Sequence, residues 1–521
     1  MPWDRLGWCA VVLSCVACGE SSGNKPSAAT GGANSGSAGN GHAAGSMSSG
    51  AGTAGDATGT GGSAGSGAGV GLCSGSTNQT PGTRIKAKFW VTSEGDRAWE
   101  TYWDTQLNAA CTFNPTSDGV YRCIPDNWDT SRTYFTDDQC TQALYTRMSP
   151  APCEPADYIM QFVVGTCEAP GGYGLNELGA QVTPTTVYQK FGEGCQVAAP
   201  PVDPLFTKGA EVPPSMFAEA TAAEYGAPAR LKQYGYSTSD GTKQVSGWRD
   251  TQLGVNCYFQ ETGEGKLRCL PQGGATISGY TDATCSTPLM DAVPRCDKTL
   301  PKYALRLPGY ECGDETYGVL ERGEAFVGIP YLGTPESCMA GVFAGGATLH
   351  QTTPTPLESF QEVTHTIDES DPGRLKPRYY DAGSTGCWFH NFWDSELKQV
   401  CNFSTASDSK ERCLPSSGLA VLRTFTDAAC TVPAPLSERS ECTPATLPEY
   451  STNEMLGECG RRKYDVHRVG EEVLGSSLPP LWRDYGANAG GCVAFQPTAE
   501  KYLKLTLVDP STFMAGEPTI Q

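Results

Sequence analysis

The chain has 521 residues, of which 39% are hydrophobic, and it carries a formal net charge of −20 at pH 7 with a pI near 4.7. The low apolar fraction predicts that part of the chain does not fold. The excess of negative charge repels phosphate backbones, so nucleic acid is excluded as an expected partner.

The N-terminus predicts export. Arg5 precedes an apolar run over 6–17, which is too short to span a bilayer and is typical of a signal peptide. Cys15 and Cys18 each follow a small residue, and this resembles the lipobox of bacterial lipoproteins, whose cysteine becomes the lipidated first residue of the mature chain. We expect a signal peptide over 1–18 with Cys18 as the lipidated residue, with Cys15 as the alternative. An ordinary secretory signal is the competing interpretation.

The resemblance also implies a location. Neither Val16 nor Gly19, the residues that follow the two candidate cysteines, is an Asp. In lipoproteins of this type an Asp at that position causes retention at the inner membrane. The resemblance therefore implies the outer membrane or the cell surface, with a lipid anchor as the contact with the membrane.

Residues 19–82 are dominated by Gly, Ser, Ala and Thr. Such a composition cannot bury enough apolar surface to offset the entropy of ordering, so it predicts a disordered tether. A Gly-rich chain of this length has an r.m.s. reach of about 45 Å, which would hold a folded body clear of a membrane surface.

After the tether, one module is repeated three times. Arg84, Arg230 and Arg374 open the copies and lie 146 and 144 residues apart. The copies share a W-D-x-x-L-type segment, an Arg-Cys-(Leu/Ile)-Pro segment and a Thr-Asp-x-x-Cys segment, and each closes with a Pro-rich segment, predicted to be a strand, and a Phe. The expected boundaries are 84–229 for copy 1, 230–373 for copy 2 and 374–521 for copy 3.

Each copy also contains six cysteines, and the first two always have eleven residues between them. These eighteen are Cys111, Cys123, Cys140, Cys153, Cys167, Cys195, Cys257, Cys269, Cys285, Cys296, Cys312, Cys338, Cys401, Cys413, Cys430, Cys442, Cys459 and Cys492. Cys73 and Cys387 lie outside the pattern. If Cys18 is lipidated and the residues before it are removed, twenty cysteines remain, an even number that suits a fully oxidised exported protein.

The simplest disulfide pairing is sequential within a copy, namely first with second, third with fourth and fifth with sixth. Cys73 and Cys387 would then pair with each other. Six cysteines allow fifteen connectivities, so other pairings stay open. The long spacings and the five His of the whole chain do not favour metal binding, and we expect no metal.

The fold class predicted is all-β. Short segments rich in Tyr, Val and Thr, such as 158–164, 302–307 and 501–508, read as strands. Glu94-Gly95 and Asp240-Gly241 fall where tight hairpins would connect the first two strands of a copy. The segment 216–226 could instead form one or two helical turns.

Each copy has room for about eight strands, or two four-stranded sheets. Three copies would then give six sheets, the number of blades in a six-bladed β-propeller. The alternative architecture is three tandem disulfide-stapled β domains. The short joints between copies favour a single closed body.

Features present in every copy are most simply explained as parts of the frame. Trp103, Trp248 and Trp393 are expected to pack between sheets. The Asp residues of the Thr-Asp-x-x-Cys segments are expected to form Asx turns that fix the start of a strand; they are Asp137, Asp282 and Asp427. A threefold set of ligand-binding Trp-Asp pairs is the functional alternative.

Function is expected where the copies differ. Only copy 3 has the sequence GCWFHNFW over 386–393, and its candidate binding residues are Trp388, Phe389, His390 and Phe392. If exposed, these rings could stack on a sugar, and if buried they would enlarge the core beside Cys387.

No motif of known chemistry stands out. The chain lacks the H-E-x-x-H zinc motif, the phosphate loop and the dinucleotide fingerprint, so no cofactor is expected. Its many carboxylates could supply a glycosidase pair, but no spacing selects two of them. We therefore assign no catalytic residue.

The combination of lipobox, Gly/Ser tether and W-D-x-x-L-x-x-x-C and R-C-L-P repeats resembles uncharacterised surface lipoproteins of predatory or soil-dwelling bacteria. The resemblance implies a location and a build, without an activity. The expected function is a lipid-anchored surface protein that binds polysaccharide or another protein, or that acts as a scaffold. The alternative is an extracellular glycan hydrolase with carboxylates at a propeller mouth.

Overall fold

A computed structural model describes most of the chain after the tether. The residues described are 79–126, 128–129, 133–146, 158–163, 171–191, 194–201, 204–226, 229–262, 264–272, 275–292, 299–306, 317–341, 348–383, 386–415, 419–439, 447–456, 462–484 and 491–521. The predicted signal peptide, its candidate lipidation cysteines and most of the predicted tether lie outside these residues.

Copy 1, together with a two-residue strand that precedes it and pairs with copy 2, forms fourteen strands in the described part of the chain. They are β1 (Gln79–Thr80), β2 (Ile85–Thr92), β3 (Arg97–Asp104), β4 (Ala109–Pro115), β5 (Tyr121–Pro125), β6 (Trp128–Asp129), β7 (Thr133–Phe135), β8 (Ala143–Thr146), β9 (Tyr158–Val163), β10 (Gly172–Val182), β11 (Val187–Phe191), β12 (Gly194–Ala198), β13 (Leu205–Glu211) and β14 (Glu219–Tyr225).

Copy 2 repeats the order with β15 (Leu231–Thr238), β16 (Lys243–Asp250), β17 (Val255–Glu261), β18 (Leu267–Pro271), β19 (Ala275–Tyr280), β20 (Pro288–Ala292), β21 (Tyr303–Arg306), β22 (Gly318–Ala325), β23 (Tyr331–Leu332), β24 (Met339–Ala340), β25 (Leu349–Pro354) and β26 (Glu362–Ile367).

Copy 3 contains β27 (Leu375–Asp381), β28 (Cys387–Asp394), β29 (Gln399–Thr405), β30 (Glu411–Pro415), β31 (Thr424–Phe425), β32 (Leu436–Glu438), β33 (Tyr450–Leu456), β34 (Arg462–Leu474), β35 (Leu481–Asp484), β36 (Cys492–Phe495), β37 (Lys501–Leu507) and β38 (Ala515–Ile520). The helices described are short 3-10 turns at Pro214–Met216, Pro335–Ser337, Leu357–Ser359, Gly475–Ser477 and Pro510–Thr512.

The first strands of all three copies belong to one large sheet. Its order is β1-β16-β15-β14-β5-β4-β3-β2-β38-β30-β29-β28-β27-β26-β18-β17, and β17 also pairs with β16. All strands of this sheet except β1 therefore form a closed circuit of pairings, to which each copy contributes five strands. The remaining strands of each copy form peripheral sheets of eight strands in copy 1, seven in copy 2, and four and three in copy 3.

The all-β prediction is confirmed, and the finer architecture is different from both expectations. A six-bladed propeller is not confirmed, because strands from all three copies are joined by backbone hydrogen bonds instead of forming six separate sheets. The copies are not three separate tandem domains either, because they share strand pairings. The last strand of each copy pairs with the first strand of another: β14 with β15, β26 with β27 and β38 with β2.

Apart from Met216, which ends a 3-10 turn, the segment 216–226 is not helical. Residues Glu219–Tyr225 form β14, whose register against β15 runs from Ala220 opposite Thr238 to Tyr225 opposite Gln233. The backbone bonds of this shared ladder outweigh the weak helical preference of an alanine-rich segment. The Pro-rich segments that end each copy were also predicted wrongly, since they contain 3-10 turns before the closing Phe rather than strands.

The predicted hairpins are present, and their tips fasten one copy to another. Gly95 and Gly241 adopt φ angles of 97° and 98°, which a side chain would disfavour. The carboxylate of Asp240 accepts a hydrogen bond from the backbone N–H of Arg84 at 2.8 Å, and Glu94 accepts one from Arg374 at 2.6 Å. Hairpin tips of copies 2 and 1 thus hold the first strands of copies 1 and 3.

A second repeated feature explains the Asp of the W-D-x-x-L segment. Three carboxylates that are 0% exposed pair with the arginines that open the copies, at 2.7 to 2.8 Å; the pairs are Arg84–Asp104, Arg230–Asp250 and Arg374–Asp394. Each carboxylate also accepts backbone N–H bonds from the turn that follows it. Because the charges are buried and paired, they fix the strand ends to each other.

The expectation for the three Trp residues was partly wrong. Trp248 is 2% exposed, whereas Trp103 and Trp393 are only partly buried. Copy 2 has one extra residue between its Trp and its Asp, so the strand registers place Trp248 at the buried position that Tyr102 and Phe392 occupy. The Asx-turn prediction is confirmed for Asp137 and Asp282, which accept hydrogen bonds from the backbone N–H two residues on. The third residue, Asp427, accepts bonds from the backbone N–H groups of Thr431 and Val432.

The disulfides confirm one third of the sequential pairing and contradict the other two thirds, because the sixth cysteine of each copy is bonded to the third and not to the fifth. The first two cysteines of each copy are bonded, as predicted. The third is bonded to the sixth and not to the fourth, in the pairs Cys140–Cys195, Cys285–Cys338 and Cys430–Cys492. The chain between each of these pairs returns through a peripheral sheet, which sequence proximity does not reveal. The fourth and fifth cysteines and Cys73 lie outside the described residues. Cys387 is disulfide-bonded, and its partner also lies outside them.

Candidate functional site

The candidate site lies where the last strand of one copy meets the first hairpin of another. We call these places junction 1 (β14, β15 and β16), junction 2 (β26, β27 and β28) and junction 3 (β38, β2 and β3). Each junction completes the core of the preceding copy. For instance, Tyr380 and Ala382 of copy 3 pack with Trp248 and Phe259 of copy 2.

The three junctions share one backbone register. A β-bulge follows Lys88 in β2, Tyr234 in β15 and Arg378 in β27. These residues lie opposite Thr101, Gly247 and Asn391, respectively. The residues just before these partners, namely Glu100, Ser246 and His390, are therefore also equivalent. The same frame thus presents three different sets of side chains.

Junction 2 is built from aromatic rings and cations. The Tyr380 ring stacks on His390 with centroids 4.3 Å apart, and its hydroxyl lies 3.2 Å from Nε2 of that histidine. His365 lies directly opposite Tyr380 in the ladder and packs against the same ring, with the centroids 4.8 Å apart and the planes tilted by 30°. Trp388 packs beside Trp248 at 6.1 Å. The Trp and both histidines keep part of their surface exposed.

Burial and a nearby positive charge make the imidazole of His365 a weaker base. Desolvation, together with the charge of Arg378, lowers the pKa of His365 to about 4. Its Nδ1 atom is buried and has no hydrogen-bond partner among the described residues. The imidazole is therefore neutral at pH 7.

Arg378 is the cation of junction 2 at the position equivalent to Lys88, and no carboxylate of the described residues pairs with it. Its Nη1 donates one long hydrogen bond of 3.4 Å to Oδ1 of Asn391, and burial lowers its pKa. No salt bridge to Arg378 is formed by the described residues, while the arginines that open the copies and those of the R-C-L-P segments are all paired with acids. A guanidinium has five N–H donors, so most of its capacity is unused by the residues described.

Junction 3 has the same cationic position with its charge already compensated. The ammonium of Lys88 lies 3.0 Å from the carboxylate of Glu100 and over the rings of Trp90 and Trp103, at 5.3 and 6.0 Å. Burial raises the pKa of Glu100, while Lys88 counteracts this. Glu100 also lines a partly open cavity of about 60 Å³ with Trp99, Asn391 and neighbouring residues. This volume accommodates water, and ligand pockets are several times larger.

Junction 1 is rich in tyrosine, and the uncharged Tyr234 occupies the position of the cation in the other two junctions. Tyr236 stacks on Tyr121 of copy 1 at 4.4 Å, and the hydroxyl of Tyr234 donates to Gln272 at 3.1 Å. Burial raises the pKa of both Tyr234 and Tyr236, so they stay protonated and can donate hydrogen bonds. All three rings are partly exposed.

The structure separates the four candidate binding residues of copy 3 into two pairs. Phe389 and Phe392 are 5% and 2% exposed and pack in a core with Leu375, so they are not available to stack on a ligand. Trp388 and His390 are partly exposed at junction 2. Arg378, His365 and Tyr380 were missed. Counting four and six residues from Arg374 would have identified Arg378 and Tyr380 as copies of Lys88 and Trp90.

Two carboxylates with a raised pKa lie near junction 3, at Glu100 in β3 and at Asp126 after β5. Next to Glu100, Asp126 accepts hydrogen bonds from Thr112 and Thr101, and crowding by protein atoms raises its pKa despite an exposed edge. Both acids belong to copy 1. No group of three or more His, Cys, Asp or Glu side chains suited to a metal ion occurs in the described part of the chain.

The fold and disulfides define a class: an all-β, disulfide-stapled body. Six disulfides in the described residues favour an exported protein. Across those same residues, no helix has the length and apolar character needed to cross a membrane. Residues 80–483 match a family of unknown function, DUF7481, and the chain belongs to this family. No curated protein and no solved structure matches it.

Proposed function

We propose that the protein is a lipid-anchored surface protein that binds polysaccharide through partly exposed aromatic side chains at the junctions between its copies. The observation that carries the proposal is the presence of partly exposed aromatic rings beside polar side chains at junctions 1 and 2. Ligand sites commonly combine aromatic walls with a few hydrogen-bonding groups that fix orientation. The surrounding frame is rigid because buried ion pairs and disulfides repeat around a closed circuit of strands.

The anchor belongs to the same proposal. The lipobox-like segment with Cys18, or Cys15 in the alternative, would fix the chain to the outer membrane or cell surface, and the tether would present the body to its ligand. Mass spectrometry of the intact protein from its native membrane tests this part. A lipid-modified N-terminal cysteine is expected, and an unmodified secreted N-terminus would contradict it.

Binding is tested with the full-length protein on an immobilised panel of neutral and acidic polysaccharides. Retention by at least one polysaccharide is expected. Loss on Tyr234→Ala or Trp388→Ala would assign it to junction 1 or junction 2. Val327→Ala is the matched control, because Val327 is 95% exposed on the peripheral part of copy 2. A folded protein that none of the panel retains would contradict the proposal.

The second candidate, a glycan hydrolase, draws on the raised pKa values of Glu100 and Asp126. A carboxyl group with a raised pKa is suited to act as a general acid. The two acids would be the catalytic pair, and Glu100→Gln and Asp126→Asn should each abolish release of reducing sugar from a bound polysaccharide. If the wild-type protein releases no reducing sugar, or if both variants release as much as the wild type, the hydrolase function with this catalytic pair is contradicted. The binding function then remains.

A further inference from the structure

We propose that junction 2 recognises a carboxylate-bearing sugar residue through the guanidinium of Arg378. This rests on the proposed binding function and specifies the chemistry of its ligand. The argument starts from the comparison with junction 3, where the equivalent cation has an acid beside it.

At junction 3 the frame supplies its own counter-charge. Lys88 and Glu100 are cross-strand neighbours 3.0 Å apart, and both side chains are mostly buried. At junction 2 the register is the same, but His390 stands in the place of Glu100. The imidazole of His390 is engaged with Tyr380, so it does not neutralise the guanidinium.

A half-buried guanidinium without a counter-charge costs free energy, because it has lost part of its hydration. The one hydrogen bond to Asn391, at 3.4 Å, recovers little of this cost. A carboxylate would recover more, since the planar fork of an arginine matches its two oxygens. The chain carries a formal net charge of −20, so the protein as a whole does not attract anions, and the pairing with a carboxylate depends on Arg378 itself.

The rings around Arg378 favour a sugar as the carrier of that carboxylate. In the ladder of β26 and β27, Arg378 and Tyr380 share one face, and His365 lies opposite Tyr380 on the same face. Trp388, opposite Tyr380 in β28, extends this surface. Tyr380 itself is 9% exposed and belongs to the core. The partly exposed rings are therefore those of Trp388 and His365. These rings can stack on an acidic sugar while Arg378 pairs with its carboxylate.

The experiment compares acidic oligosaccharides with their own methyl esters. The full-length protein is titrated with galacturonate, glucuronate and mannuronate oligomers, each as free acid and as ester, and binding is followed by calorimetry. We expect at least one acid to bind about tenfold or more tightly than its ester, the effect of one hydrogen-bonded charge pair. Arg378→Gln should remove this preference.

A second variant tests the comparison itself. His390→Glu places at junction 2 the acid that junction 3 carries, and it should abolish the preference by pairing with Arg378 inside the protein. Lys88→Gln at junction 3 is the matched control and should leave the preference unchanged. Thermal unfolding with the disulfides intact establishes that each variant folds.

The other outcomes each overturn the inference. Equal binding of acids and esters would leave glycan binding in place and remove the role of the carboxylate. A preference that survives in both Arg378→Gln and His390→Glu would place the acid elsewhere. Binding of neutral polysaccharides on the panel, with none of the acidic oligomers bound, would also contradict it while sparing the proposed function.

Discussion

Junctions 2 and 3 share one backbone register but differ in whether the cation at the equivalent position is paired with an acid of the described residues. Both place a cation before a β-bulge and an aromatic ring two residues later, at Arg378 and Tyr380 in one and at Lys88 and Trp90 in the other. Junction 3 pairs its cation with Glu100, while junction 2 leaves the equivalent position to His390. The difference teaches that the repeated frame fixes geometry, and that the side chains placed on it decide what each junction can bind.

The largest expected effect concerns the frame that both junctions share. Asp394→Ala and Asp104→Ala should each destabilise the protein by about 3–5 kcal/mol, because each removes the fully buried carboxylate that pairs with a largely buried arginine. Denaturant unfolding with the disulfides intact measures this. Glu396→Ala is the control, since this exposed acid also contacts Arg374 but should contribute less than about 1 kcal/mol. Unequal losses at Asp394 and Asp104 would show that the copies do not share one frame.

A smaller effect should distinguish junction 2 by its pH dependence. The pKa of His365 is lowered to about 4 in the folded state, so between pH 6.5 and 4 the unfolded chain binds a proton that the folded chain does not. Stability should therefore fall as the pH falls through this window. The equivalent residue of junction 1 is Ala222, which lies opposite Tyr236 as His365 lies opposite Tyr380. His365→Ala should remove about 1 kcal/mol of this decline in stability, a value reduced by the partial exposure of the ring.

The readout for His365 is the free energy of unfolding at several pH values. The wild type and His365→Ala should differ most in slope between pH 6.5 and 4 and run parallel above pH 7. Parallel curves over the whole range would mean that this imidazole titrates normally and that junction 2 is more open to solvent than described.

The smallest expected effect belongs to the ion pair of junction 3. Lys88→Gln should destabilise the protein by about 0.5–1 kcal/mol at pH 7, because it removes the charge that counteracts the burial of Glu100. The loss should fade as the pH falls and Glu100 becomes protonated. A double-mutant cycle with Glu100→Gln measures the coupling, and a coupling of zero would remove the electrostatic distinction between the two junctions.

Local patterns in the sequence predicted local structure well. The strands over 158–163, 303–306 and 501–507, the hairpins at Gly95 and Gly241, and the disulfide between the first two cysteines of each copy depend on nearby residues. Non-local features were missed for a physical reason. The pairing of the third with the sixth cysteine and the sharing of strands between copies depend on chain segments that meet only after folding.

The candidate site was half visible in the sequence. The aromatic stretch over 386–393 drew attention to Trp388 and His390, but alternation along β28 buries Phe389, and Phe392 falls on a core position as well. Arg378 was overlooked because an isolated arginine carries no motif. Its meaning emerges only when it is compared with Lys88 and Tyr234 in one register, which shows that its expected acid is absent from position 390.

The most direct test of the account is hydrogen–deuterium exchange of the full-length protein with and without a bound polysaccharide. The account predicts added protection in Glu362–Ile367, Leu375–Asp381 and Cys387–Asp394 at junction 2 when the ligand is acidic. The equivalent strands of junction 3, Ile85–Thr92 and Arg97–Asp104, should be unchanged. Equal protection at all three junctions, or protection confined to the peripheral sheets, would contradict the claim that function lies where the copies differ.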